Sequence, residues 1–150
     1  DCTGVSVLEI DVVMFNTILF PVDQSRESRE AVDTVANLVK TFNSRLILLS
    51  VVEKQPTGED LEKPGVMASI EAVAKLLQEA QALFANQGIK AEVMEREGIP
   101  PFTICDVADE INANLIVMGS RGLGLTEEGA AESAAHRVID LSPCPVLVIP

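Results

Sequence analysis

"NLIVMGSRGLGLTEEGAAESAAHRV", residues 114–138, is the stretch on which the fold turns. Leu115, Ile116, Val117 and Met118 form a short apolar run that ends at Gly119, and Gly122 follows three residues later. A run of that length bounded by glycines reads as a buried strand. The segment after it, near 128–141, reads as a helix. Strand, glycine turn and helix in direct succession is the repeating unit of a parallel sheet, and the glycine turn is where such a unit can cradle a phosphate.

The same alternation extends in both directions. "NTILFPVD" (16–23) is an apolar strand ending in a turn. "SRESREAVDTVANLVKTF" (25–42) places Ala31, Val35, Leu38 and Phe42 at helical spacing. "SRLILLSVVE" (44–53) is a second continuous apolar strand. Residues 54–65 carry Pro, Gly and charges and read as a loop overhanging one end of the sheet, a candidate lid. A long helix follows with Val66, Ile70, Val73, Leu77 and Phe84 on one side, and Gly88 stands where a C′ cap belongs. "IKAEVMERE" (89–97) alternates, with Ile89, Ala91 and Val93 expected to face the core, so it reads as an edge strand with one wet face. "GIPPFTICDVADEINA" (98–113) starts a helix at its prolines and groups Ile104, Val107, Ala108 and Ile111. "PVLVIP" (145–150) is the fifth strand.

Alternation of this kind predicts a doubly wound α/β fold: an open, parallel, five-stranded sheet with helices on both faces. The expected strand order is 3-2-1-4-5. Ligands of such sheets bind beyond the carboxyl ends of the strands where the order reverses. That crevice lies between strands one and four, at Pro21, Val22 and Asp23 on one side and Met118 and Gly119 on the other. One domain is expected over residues 14–150, with Met14 as a natural start. Residues 1–13, "DCTGVSVLEIDVV", are a leader of open origin. They are a foreign remnant, an upstream extension, or an extra strand built on Val5, Val7 and Ile10, and they lack the features of a signal peptide.

The net charge of −12 opposes nucleic acid and anionic membranes as partners. No apolar run approaches the roughly 20 residues of a spanning helix. Cys2, Cys105 and Cys144 form no CxxC pair, which suits a reducing cytoplasm. Cys105 falls on a helix, and Cys144, between two prolines, reads as a small buried hydrophobe. His136 is the sole histidine and has no evident acid or second ligand, so no metal site and no catalytic residue is assigned. No Walker A pattern GxxxxGK[ST] occurs.

Together, "ILFPVDQS", the stretch from Gly98 to Gly122 and "SPCPVLVIP" resemble the universal stress protein family. The resemblance covers residues 15–150. It implies a homodimer, often joined through the last strand, and adenine held near Asp23 and the end of strand two. Val51 is the best match for that apolar wall and Val52 the alternative. ATP-binding members carry G-x2-G-x9-G-[ST], matched here by Gly119 and Gly122. The register then puts Glu132 at the third glycine and Ser133 at the hydroxyl position, with Arg137 and Val138 where the family has similar residues.

The implied ligand is ATP or AMP, with Mg²⁺, held by Pro21, Val22, Asp23, Val51, Met118, Gly119, Gly122 and Ser133. Any hydrolysis would be slow, since no base is aimed at an attacking water. Asp23 can accept from an adenine amine or a ribose hydroxyl, or cap the following helix. Ser133 can donate to a phosphate, or serve as an N-cap or first-turn serine. Glu132 is the departure from the pattern. Two unit charges about 4 Å apart repel by roughly 1 kcal/mol in water and about 4 at intermediate screening. Affinity would fall roughly five-fold to several hundred-fold. Glu132 would then fill the anion seat itself, or share a bridging Mg²⁺ with the phosphates. The alternative function is a homodimeric regulatory or scaffold protein that binds no nucleotide. A phosphorylated receiver domain is disfavoured, because strand three ends in "EREG" and no lysine follows strand five. A flavin carrier lacks Trp and Tyr for ring stacking. Neither the protein partners nor the stress is written in the sequence.

Overall fold

In the computed structural model five strands and four helices alternate through residues 14–22, 26–53, 64–119 and 128–150, the residues the structure describes. The elements are β1 (Thr17–Pro21), α1 (Arg26–Phe42), β2 (Arg45–Glu53), α2 (Pro64–Ala85), β3 (Glu92–Gly98), α3 (Pro100–Glu110), β4 (Leu115–Gly119), α4 (Glu128–Leu141) and β5 (Val146–Ile149). The sheet runs β3-β2-β1-β4-β5 with every pairing parallel, the order expected from the sequence.

Alternation along the strands sends side chains into two cores, one on each face. Ile18, Phe20, Leu46, Leu48, Leu115 and Val117 pack under α1 and α2, where Phe20 and Phe84 meet edge to face at 6.1 Å. Leu19, Ile47, Leu49, Ile116 and Met118 pack under α3 and α4, against Ile104, Val107 and Val138. β1 is closed on both sides by β2 and β4 and on both faces by helices, so Ile18, Leu19 and Phe20 are fully buried. This is why β1 reads as an unbroken apolar run.

Three helices end in the same way. Asn43, Gly88 and Asn112 adopt positive φ of 54°, 80° and 55°. After each, the next amide reaches back to the last turn: Ser44 to Val39, Ile89 to Phe84 and Ala113 to Ala108, at 3.1, 3.0 and 2.8 Å. These are Schellman closures, and Asn and Gly are the residues that tolerate that φ. Gly88 is thus the C′ residue anticipated above. Asn114 then ties β4 to β1: its Oδ1 accepts from the Thr17 amide at 2.9 Å and its own amide donates to the Thr17 carbonyl at 2.8 Å.

Three expectations need correction. Val93 is 42% exposed although it faces the same way as Ile89 and Ala91. It pairs with Leu48 on the sheet's edge strand, where no strand lies beyond to complete its cover. α2 begins at Pro64, inside the segment read as loop, because proline's fixed φ suits the first helical position. Cys144 is half-buried, since the turn before edge strand β5 covers it incompletely. Residues 1–13 and 54–63, including the leader strand and the candidate lid, lie outside the described residues.

Candidate functional site

The reversal of strand order falls between β1 and β4, as the topology requires. The register Leu19↔Ile116 carries Pro21 level with Met118 and Val22 level with Gly119 at the carboxyl end. Pairing with β2 continues past the strand: the Val22 amide donates to the Leu49 carbonyl at 2.8 Å. β2 runs further, through Val51, Val52 and Glu53, alongside β3. Val51 therefore stands above the last described residue of β1 and forms a step at the sheet's rim.

The two faces divide the expected residues. Val51 packs half-buried against the α3–α4 core, the face of Met118, and alternation places buried Pro21 there too. Val22 belongs to the α1–α2 core. Val52, the alternative to Val51, points the opposite way by the same alternation. Pro21, Val51 and Met118 thus form a continuous apolar wall on one side of the rim, and Gly119 sits buried beside it. Asp23 and Gly122 lie outside the described residues. Ser133 and Glu132 are placed on α4 by their backbone, and their side chains lie outside the described set. α4 starts at Glu128, so Ser133 is neither an N-cap nor a first-turn residue. The helix itself spans the residues expected of it, near 128–141.

Ser50 went unnoticed in the sequence. It is 3% exposed at the carboxyl end of β2 and is the buried polar residue among those described. Its signal was a single hydroxyl inside an apolar run, on the face opposite Val51. Near the same rim, Gly98 closes β3 with φ of +157°, and a Cβ there would overlap Thr103 Oγ1 of α3. α3 opens with Pro100 and Pro101 and no side-chain cap.

Two ion pairs brace the β3 edge. Arg45 donates twice to the Glu92 carboxylate, at 2.5 and 2.8 Å, at the opposite end of the sheet. The guanidinium holds the Glu92 carboxyl below its usual pKa, chiefly through that hydrogen bond. Arg96 pairs with Glu110 at 2.9 Å on the β3 edge. Burial pushes the Cys105 and Cys144 thiols up, so neither is a ready nucleophile. Among the described residues no cluster of three metal-ligating side chains forms, and no helix is long and apolar enough to cross a membrane.

An open, all-parallel five-stranded sheet whose order reverses between β1 and β4 defines a doubly wound α/β protein. Comparison with known proteins makes the class specific. The model of the universal stress protein family matches residues 14–150. A universal stress protein of Synechocystis sp. is 67% identical over 139 residues, covering 93% of this chain and 88% of the relative. The solved UspA of Lactobacillus plantarum superposes with a TM-score of 0.78 at 26% identity, over 91% of this chain and 99% of its own. A universal stress protein solved in complex with cAMP superposes at 0.69 with 25% identity, over 90% and 97%. The chain belongs to the universal stress protein family.

Proposed function

We propose that this chain binds an adenine nucleotide, ATP or AMP, at the carboxyl ends of β1 and β4. The adenine lies along the wall of Pro21, Val51 and Met118, with Val22 behind it on the other face of the rim and Asp23 as its polar partner. The phosphates extend past Met118 and Gly119 toward Gly122 and Ser133, with Mg²⁺ accompanying ATP. The observation that carries the reading is the meeting of Pro21, Val22, Val51, Met118 and Gly119 at the one point where the strand order reverses. The apolar ring would be shielded there while the charged groups face the glycine turn. The cAMP complex of a relative with the same fold supports it.

Glu132, at the third-glycine position, sets the affinity below that of a chain with glycine there. Calorimetric titration of ATP with Mg²⁺ into the wild type and Glu132→Gly tests this. The expected result is binding in both, tighter in Glu132→Gly by roughly five-fold to several hundred-fold. Silence from both proteins would refute nucleotide binding. It would favour the second reading, a regulatory or scaffold protein without a nucleotide, which the carboxylate at position 132 supports.

Either reading includes a homodimer through β5. The two edges of the sheet differ in a way that supports it. The β3 edge carries Glu92, Glu95, Arg96 and Glu97, and charged edges resist strand addition. The β5 edge is Val146–Ile149, without a charge, and Leu147 is 38% exposed. A cytoplasmic location agrees with the free thiols of Cys105 and Cys144.

A further inference from the structure

We propose that Pro21 holds the crevice open between β1 and β4, because it withholds the one amide that would carry their ladder past Leu19. The consequence for nucleotide binding rests on the site proposed above. The effect on the ladder stands apart from it.

β1 is the middle strand of the sheet, with β2 on one side and β4 on the other. Its pairing with β2 runs from Thr17↔Arg45 to Pro21↔Leu49. Its pairing with β4 covers Ile18↔Leu115 and Leu19↔Ile116 and then stops, although β1 continues to Pro21 and β4 to Gly119. β4 stays paired with β5 as far as Gly119↔Ile149. The sheet therefore parts along one seam, between β1 and β4, at the level of the proposed site.

The cause lies in the alternation of backbone groups. Along a strand, successive residues turn their amides and carbonyls to opposite neighbours. The Val22 amide donates to the Leu49 carbonyl of β2, and the Thr17 carbonyl accepts from the Asn114 amide just before β4, each at 2.8 Å. Position 21 shares its parity with Thr17 and Leu19, so its nitrogen faces β4. Across the seam, the Ile116 amide turns away to the Pro145 carbonyl just before β5, at 3.0 Å, so the peptide groups of Val117 turn toward β1. The register Leu19↔Ile116 then sets the nitrogen of residue 21 against the Val117 carbonyl. Proline has no N–H to give, and inside a sheet it removes a ladder hydrogen bond. The rung is missing, and the carbonyl of fully buried Val117 is left facing the seam.

An amide at position 21 would form that rung and draw β1 and β4 together beneath Val22 and Gly119, narrowing the floor of the crevice. One net backbone hydrogen bond is worth about two- to ten-fold in an equilibrium constant. A ligand that needs the open seam loses affinity in proportion.

Pro21→Val is the main variant, since it keeps an apolar, strand-favouring side chain in the wall while adding the amide. Pro21→Ala is the second, and thermal melts establish that both fold. Hydrogen exchange followed by NMR reads the amide introduced at position 21, and calorimetric titration reads AMP. The expected result in both variants is exchange slowed at least about two-fold relative to an exposed amide, with AMP weakened about two- to ten-fold. Free exchange of that amide would overturn the proposal, because the strands would then part for another reason. A protected amide with AMP affinity equal to that of the wild type would overturn it too. Weakening in Pro21→Ala but not in Pro21→Val would trace the loss to the wall contact and overturn it as well. Absence of AMP binding by the wild type would refute the nucleotide site, and hydrogen exchange would then decide the ladder alone.

Discussion

Replacing Gly98 by alanine places a methyl group where the turn from β3 into α3 has no room for one. Gly98 is the last residue of β3, paired with Glu53, and one residue later α3 is entered through Ile99. Its φ of +157° is one that L-residues rarely adopt, and strain of that kind costs about 1–3 kcal/mol. The new Cβ would also overlap Thr103 Oγ1, while Thr103 Cβ, at 3.7 Å, is in ordinary contact. Turning the Thr103 side chain away from its rotamer adds about 0.5–1.5 kcal/mol. The sum is about 1.5–4.5 kcal/mol, a large part of the roughly 5–15 kcal/mol that stabilises a domain. For this size of chain each kcal/mol lowers Tm by about 2–4 °C, so a fall of about 3–18 °C is expected. Differential scanning calorimetry of the wild type, Gly98→Ala, Thr103→Ala and the double variant separates the two contributions. Removing Oγ1 should return the rotamer part, about 0.5–1.5 kcal/mol, as a coupling between the sites. The backbone part should persist in the double variant. A Gly98→Ala protein that melts within about 1 °C of the wild type would refute the reasoning, since neither strain nor overlap would then exist.

If the proposed dimer joins through β5, the wild type sediments as a dimer in analytical ultracentrifugation and Leu147→Lys, which puts a charge on that edge, as a monomer; a monomeric wild type or an unchanged dimer would exclude β5 as the joint. The raised pKa values and burial of Cys105 and Cys144 predict slow alkylation at pH 8 in the native state, at least about ten-fold slower than after unfolding, as read by peptide mass mapping. Rapid native labelling at either position would contradict the packing of that core. The Glu92 carboxyl is depressed by Arg45, so its ion pair stabilises the fold above the unfolded-state value near 4.3 and is lost as pH falls through the lower folded value. Wild type should therefore melt slightly above Glu92→Gln at neutral pH. The gap should close in acid, and a gap that widens there would reverse the sign of the linkage. Because both partners are exposed, the gap is small even at its largest.

Much of the fold was legible because its signals are local. Unbroken apolar runs in β1, β2 and β4 reported burial on both faces, and the charged alternation of β3 reported an edge. Gly88 was legible as a helix end, whereas Asn43 and Asn112, which do the same work, were passed over because asparagine is less restricted to that conformation. Part of the candidate rim followed from topology alone: once strand order is known, Pro21, Val22, Met118 and Gly119 must meet at the reversal. The last helix was legible too, since α4 spans the expected residues, but the N-cap or first-turn role weighed for Ser133 does not agree with those bounds: Ser133 stands inside the helix.

By itself the sequence determined the alternation of strands and helices and the two-sided sheet, because periodicity is a property of the chain alone, and its motifs carried the resemblance to the family that the comparisons show. Tertiary structure decided what depends on neighbours distant in sequence. Val51 and Met118, 67 positions apart, share one face of the rim through the pairings that join β2, β1 and β4. Val93 points toward the core yet remains exposed, because direction is set by the pleat and burial by whatever packs over it.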